Sequence, residues 1–132
     1  MRLVEGVELA VTDPAAGRLW HVILTVGGDP VDLSLVRSAL DRLSAERPFC
    51  LSGRYGPDRA EVHYWEEAGD CADAAALALR LWTDHRRSAD LPPWRVLGVE
   101  VVERAVYLHR RREHRMPLLI PAGTWRPFPS AR

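Results

Sequence analysis

The chain has 132 residues, 47% of them hydrophobic and 27% charged, with 18 basic and 18 acidic side chains and no net charge. That length suits one domain, which buries roughly 65–70% of the surface exposed by its unfolded chain, and the composition excludes a disordered chain or a membrane protein. A zero net charge argues against a protein that coats nucleic acid with its whole surface.

Residues 3–12 have an extended character and form a candidate extra N-terminal strand. Asp13-Pro14-Ala15-Ala16-Gly17 reads as a turn. From Leu19 to Val26 the chain is β-rich and apolar on both faces, as an interior strand requires: Trp20, Val22, Leu24 and Val26 alternate with Leu19, His21, Ile23 and Thr25. Gly27-Gly28-Asp29-Pro30 opens a helix, with Asp29 placed to cap it, Pro30 in its first turn and Asp32 complementing the dipole. Leu33, Val36, Leu40 and Leu43 make its buried stripe.

Pro48 stops that helix. Phe49 to Tyr55 reads as a strand, Gly56-Pro57-Asp58 as a turn, and Arg59 to Glu67 as the antiparallel partner. Asp70 caps a second helix, whose apolar face uses Ala74, Leu77, Ala78, Leu81 and Trp82. Leu91-Pro92-Pro93 ends the connection, and Trp94 to Val102 is a further strand. Glu103 to Arg115 reads as a short basic helix with Val106 and Tyr107 as its apolar contacts. Pro117, Pro121, Pro127 and Pro129 make the rest an extended arm, in which Leu118, Leu119, Ile120, Trp125 and Phe128 need cover.

The order β-α-β-β-α-β predicts an α+β chain of the ferredoxin-like, split-βαβ kind: one antiparallel sheet with two helices on one face. Residues 1–108 form the domain, and residues 109–132 form a basic, Pro-rich arm that packs on the body or on a partner subunit. All 18 basic residues are arginine, and they are unevenly placed. Residues 1–108 hold 12 Arg against 17 Asp and Glu, a charge of −5, whereas residues 109–132 hold 6 Arg against 1 Glu, a charge of +5.

The stretch from His21 to Glu67, with its strand, Gly27-Gly28-Asp29-Pro30 loop, amphipathic helix and hairpin, resembles the ACT-like and ferredoxin-like small-ligand domains. The segments Leu81-Trp82-Thr83-Asp84-His85-Arg86 and Leu91-Pro92-Pro93-Trp94 resemble those of small uncharacterised actinobacterial proteins. The ACT resemblance implies an amino acid or similar effector bound near the first loop, at a dimer interface. Pro30 departs from that pattern by removing one backbone donor.

Two cysteines, Cys50 and Cys71, are too few for a disulfide scaffold and show no zinc spacing. Carboxylates near the start interrupt any signal-peptide run, and no stretch approaches the roughly 20 apolar residues of a membrane span. A cytoplasmic protein with no membrane contact is expected.

Strand periodicity sends Phe49, Leu51, Tyr55, Val62, Tyr64, Leu97, Val99 and Val101 toward the helices. The other face then carries His21, Ile23, Thr25, Cys50, Ser52, Arg54, Glu61, His63, Trp65, Val96, Glu100 and Val102, with Arg104 at its end. A face this mixed needs a ligand, a second subunit or the arm against it. As a ligand site, Arg54 would clamp an anion, His21 and His63 would exchange protons with Glu61 or Glu100 orienting them, and Trp65 would stack on a planar group. The same groups could simply pair across strands or with a second subunit.

His21, His63 and Glu61 lack metal-site spacing, so no metal or other cofactor is expected. No nucleophile elbow, phosphate-binding loop or dinucleotide fingerprint is present. Cys71 at a helix start and Cys50 in a strand read as packing residues, and His85, Arg86 and Arg87 complement the end of the second helix. The run from His109 to Arg115 is the strongest charge signal. Arg110, Arg111, Arg112 and Arg115, with Trp125, are candidate partner-binding residues for an acidic partner or nucleic acid. Without interleaved aromatics, however, a solvated face or a latch onto the acidic body accounts for the run better.

The leading expectation is a non-enzymatic small-ligand-binding or regulatory module acting as a homodimer. The alternatives are a dimeric α+β-barrel enzyme using a histidine acid/base, and a protein- or nucleic-acid-interaction accessory using the arm.

Overall fold

The computed structural model describes residues 18–47, 51–113 and 123–129. The candidate strand over residues 3–12, together with Phe49, Cys50 and Arg115, lies outside them. In chain order the elements are β1 (Arg18–Gly27), α1 (Leu33–Glu46), β2 (Ser52–Tyr55), β3 (Arg59–Ala68), α2 (Cys71–Arg86), β4 (Arg95–Glu103), α3 (Arg104–Glu113) and β5 (Thr124–Pro127). The sheet order is β4-β1-β3-β2-β5. Each of its first four strands is antiparallel to its neighbours among them, which is the ferredoxin-like arrangement. The fifth, β5, runs parallel to β2 and makes the sheet mixed.

The core lies between one sheet face and the two longer helices. Val22 and Leu24 of β1 stand opposite Tyr64 and Val62 of β3 on one side and Val101 and Val99 of β4 on the other. Val36, Ala39, Leu40 and Leu43 of α1 close over this row together with Ala78, Leu81 and Trp82 of α2. Leu33 and Leu77 do not join the stripes: both sit on the flanks of their helices and are exposed. Val106, expected to pack α3, is exposed as well, and Tyr107 alone of that pair is buried.

The N-cap of α1 is Asp32, whose carboxylate accepts from the Ser34 backbone N–H at 3.1 Å; it is not Asp29. The reason is the loop before it. Gly28 N–H donates to Asp58 O at 3.0 Å and Val31 N–H to Pro57 O at 2.7 Å, so the backbone is tied to the β2–β3 turn until residue 32. Asp70 caps α2 as expected, accepting from Asp73 N–H at 2.8 Å.

A second correction concerns β4. The register slips between Thr25 and Val26, which pair with Gly98 and Val96. The bulge accommodates one extra residue, Leu97, and inverts the facing expected there. Val96 packs against the core, and Leu97 is exposed.

Residues 124–127 of the arm are part of the sheet. Ser52, Gly53, Arg54 and Tyr55 pair with Thr124, Trp125, Arg126 and Pro127. Trp125 is 4% exposed, and its indole N–H donates to Ser44 Oγ at 3.0 Å. From α1, Arg37 donates to the Trp125 carbonyl at 3.3 Å.

Candidate functional site

The sheet face turned away from α1 and α2 has three central rows. His21 stands between Trp65 and Val102, Ile23 between His63 and Glu100, and Thr25 between Glu61 and Gly98. Immediately after β4 the chain turns into α3, which lies across β1 and β4 on this face. Tyr107 seats it. The phenol ring is 4.1 Å from the His21 imidazole, with the planes 31° apart, and 4.9 Å from the Trp65 indole in an edge contact.

Positions three and four residues further along a helix share one side with Tyr107, and they carry Arg110 and Arg111. Arg110 Nη1 donates to Glu100 Oε2 at 3.0 Å, an exposed ion pair that contributes modestly to stability. Arg111 is 8% exposed, and its guanidinium lies 5.1 Å over the Tyr107 ring. The basic segment thus latches onto the body through at least one carboxylate.

Between α3 and the sheet runs a cleft of about 320 Å³, lined by His21, Ile23, His63, Glu100, Val102, Tyr107, Arg110 and Arg111. Its floor is aliphatic, from Ile23 and Val102. One wall is aromatic, and two guanidinium groups complete the lining. Few polar groups converging on an apolar hollow is the usual make-up of a small-molecule site.

Both imidazoles are held neutral. Burial depresses His21 from 6.5 to about 3, helped by the neighbouring His63, Arg111 and Arg110. Burial also lowers His63, against the opposing pull of the Glu61 carboxylate at 3.4 Å. A neutral imidazole has one donor and one acceptor nitrogen, and each ring can hydrogen-bond a ligand without adding charge.

Of the residues singled out in the sequence, His21, His63 and Glu100 line the cleft, together with Arg110 and Arg111. Trp65 is 5% exposed and supports His21 from behind at 5.1 Å. Arg54 and Glu61 pair with each other at 3.1 Å on the open side of the sheet, and Glu61 is shared with His63. Arg112 is exposed, and Trp125 is packed inside its own chain. Ile23 and Val102 were visible on the mixed face as apolar residues without a role. Tyr107 was visible as a helix contact, but no periodicity shows that α3 folds back over β1.

Among the described residues, no group of three or more His, Cys, Asp or Glu is placed to hold a metal ion. No helix among them is long and apolar enough to cross a membrane.

Residues 19–118 match the family model described as Domain of unknown function (DUF8830), a stretch that contains every residue lining the cleft. No curated protein matches the chain. Among solved structures, an acylphosphatase from Coxiella burnetii is similar at 13% sequence identity with a TM-score of 0.37, the match covering 90% of this chain and 100% of that one.

Proposed function

The chain belongs to the domain family of unknown function DUF8830, and we propose that it is a non-enzymatic module binding a small molecule in the cleft beneath α3. The ligand class that fits is a compact aromatic or aliphatic body carrying one negative group. Its body would lie on Ile23 and Val102 against the Tyr107 ring, and its anion would meet Arg110 and Arg111. The observation that supports this reading is the joining of an aliphatic floor, an aromatic wall and two guanidinium groups in one hollow of about 320 Å³.

At His21, binding is favoured over acid–base catalysis by the state of the ring. A general base works best with a pKa near the operating pH. An imidazole held at about 3 beneath Tyr107 is too weak a base at neutral pH and is occupied in packing.

The test uses anilinonaphthalene sulfonate, an aromatic body with one anionic group, as a fluorescent probe of the native protein. Saturable one-to-one binding is expected, abolished in Val102→Trp, which fills the floor, and weakened in Arg110→Ala. Binding unaltered by Val102→Trp, in a variant shown to be folded, refutes the assignment.

A further inference from the structure

A second hollow lies at the opposite end of the sheet, where β1 runs into the loop Gly27-Gly28-Asp29-Pro30. It has a volume of about 520 Å³ and is lined by Gly27, Gly28, Asp29, Asp58, Arg59, Pro93, Arg95 and Leu97. The strand registers explain its charge. Gly27 pairs with Arg59 of β3 on one side and with Arg95 of β4 on the other. Two arginines therefore flank a residue with no side chain, in one row across three strands. Their Cα atoms are two strand spacings apart, about 10 Å, a gap that two guanidinium groups can close upon a single anion.

Two carboxylates stand on the loop side of the same hollow. The hydrogen bonds Gly28 N–H to Asp58 O and Val31 N–H to Pro57 O hold the first loop against the β2–β3 turn, which brings Asp29 and Asp58 alongside each other. Trp94 locks the arrangement from below. Its indole N–H donates to the Asp29 carbonyl at 2.8 Å, and a Cβ on Gly28 would come within 2.8 Å of its ring. Leu97, displaced outward by the bulge, covers Gly27, where an added Cβ would meet its Cδ1 at 2.8 Å.

Among the described residues, none of Arg59, Arg95, Asp29 and Asp58 is in an ion pair. Arg59 leans on the Phe128 ring at 5.0 Å. Four charges of both signs thus line one preformed hollow and do not neutralise one another within it.

We propose that this hollow is a second ligand site, distinct from the cleft under α3, which takes a phosphate monoester on a polyhydroxylated body. Planar guanidinium forks bind phosphate oxygens bidentately. Ionised carboxylates accept hydrogen bonds only, so they suit neighbouring hydroxyl groups. The phosphate would lie at the rim of the hollow between the Arg59 and Arg95 guanidinium groups, outside the Leu97 side chain that fills the space over Gly27, and the hydroxyls would face Asp29 and Asp58. The volume is within the range of small-molecule sites.

The experiment titrates the 15N-labelled full chain with ribose 5-phosphate, inorganic phosphate and ribose, following backbone amide shifts. Ribose 5-phosphate should perturb the amides of Gly27, Gly28 and Arg59, saturably and more tightly than inorganic phosphate, with ribose alone inert. Losing one charged, bidentate partner should weaken binding about tenfold or more, in Arg59→Ala and Arg95→Ala alike. Asp29→Asn should weaken ribose 5-phosphate but leave inorganic phosphate unchanged. Absence of saturable shifts with ribose 5-phosphate, or affinity unmoved by both arginine variants, overturns the site. Equal affinity for inorganic phosphate and ribose 5-phosphate overturns the role given to the carboxylates. Because all three substitutions are at exposed side chains, the variants should fold, and their unperturbed spectra elsewhere verify it.

Discussion

The Tyr107 ring rests on the His21 imidazole at 4.1 Å, joining the third helix to β1. That contact is what makes a cleft out of an otherwise open sheet face. Replacing a large buried aromatic by alanine removes its apolar burial and leaves a hollow, a loss of about 3 kcal/mol. Tyr107→Ala should cost that much in denaturant unfolding, abolish probe binding in the cleft and raise the His21 pKa toward its ordinary value. Tyr107→Phe keeps the ring and should retain most of the stability.

The two depressed histidines fix a direction of pH dependence. A histidine whose pKa is lower in the folded state is protonated more readily in the unfolded chain, so stability rises with pH across the interval between the two values. For His21 that interval runs from about 3 to 6.5, and His63 adds to it in the same direction. The protein should hold its full histidine contribution above pH 6.5 and lose it as the pH falls toward 3. A shift of this size corresponds to on the order of 5 kcal/mol. Calorimetric melts at successive pH values should show Tm falling with acidification, and His21→Phe should flatten that slope.

Sequence patterns revealed much of this architecture but not the parts that form the cleft. Six of the eight elements follow from local periodicity, because residues such as Val22, Leu24, Leu40 and Leu81 repeat at the strand or helix period. The stretch Thr124-Trp125-Arg126-Pro127 is too short to show a period and becomes a strand only because β2 offers it an unpaired edge. Leu97 and Val96 exchange faces through a bulge that alternation cannot foresee. His21, His63 and Glu100 could be placed on one face from strand parity, whereas the return of α3 over that face depends on a tertiary contact by a single tyrosine.

The helix caps allow a clean comparison. Asp32→Ala should destabilise the protein by about 1 kcal/mol, the usual cost of losing a side-chain cap, because its carboxylate serves the Ser34 N–H and hydroxyl. Asp29→Ala should leave stability nearly unchanged, since Asp29 engages Trp94 through its backbone carbonyl. Equal losses in thermal melts would contradict the cap assignment.

Gly53 is the most constrained glycine. Its φ is +151°, and an added Cβ would collide with the Glu61 carbonyl of the neighbouring strand and approach the Trp125 ring at 3.2 Å. Gly53→Ala should therefore lose about 3 kcal/mol or more and disturb β2 together with β5. Hydrogen exchange that stays slow in both strands would count against it.

The seat of Trp125 has a consequence for biosynthesis. Its indole completes a core otherwise built by residues from Val22 to Trp94, yet β5 joins β2 across more than half the length of the chain. Pairings so distant in sequence form slowly, since loop closure precedes any gain. While the chain emerges from the ribosome, the first four strands can assemble with the outer edge of β2 bare and a tryptophan-sized gap beside Ser44. Only emergence of residues 124–127 seals both, so a nascent chain stalled before residue 124 would present that edge to chaperones or to its neighbours.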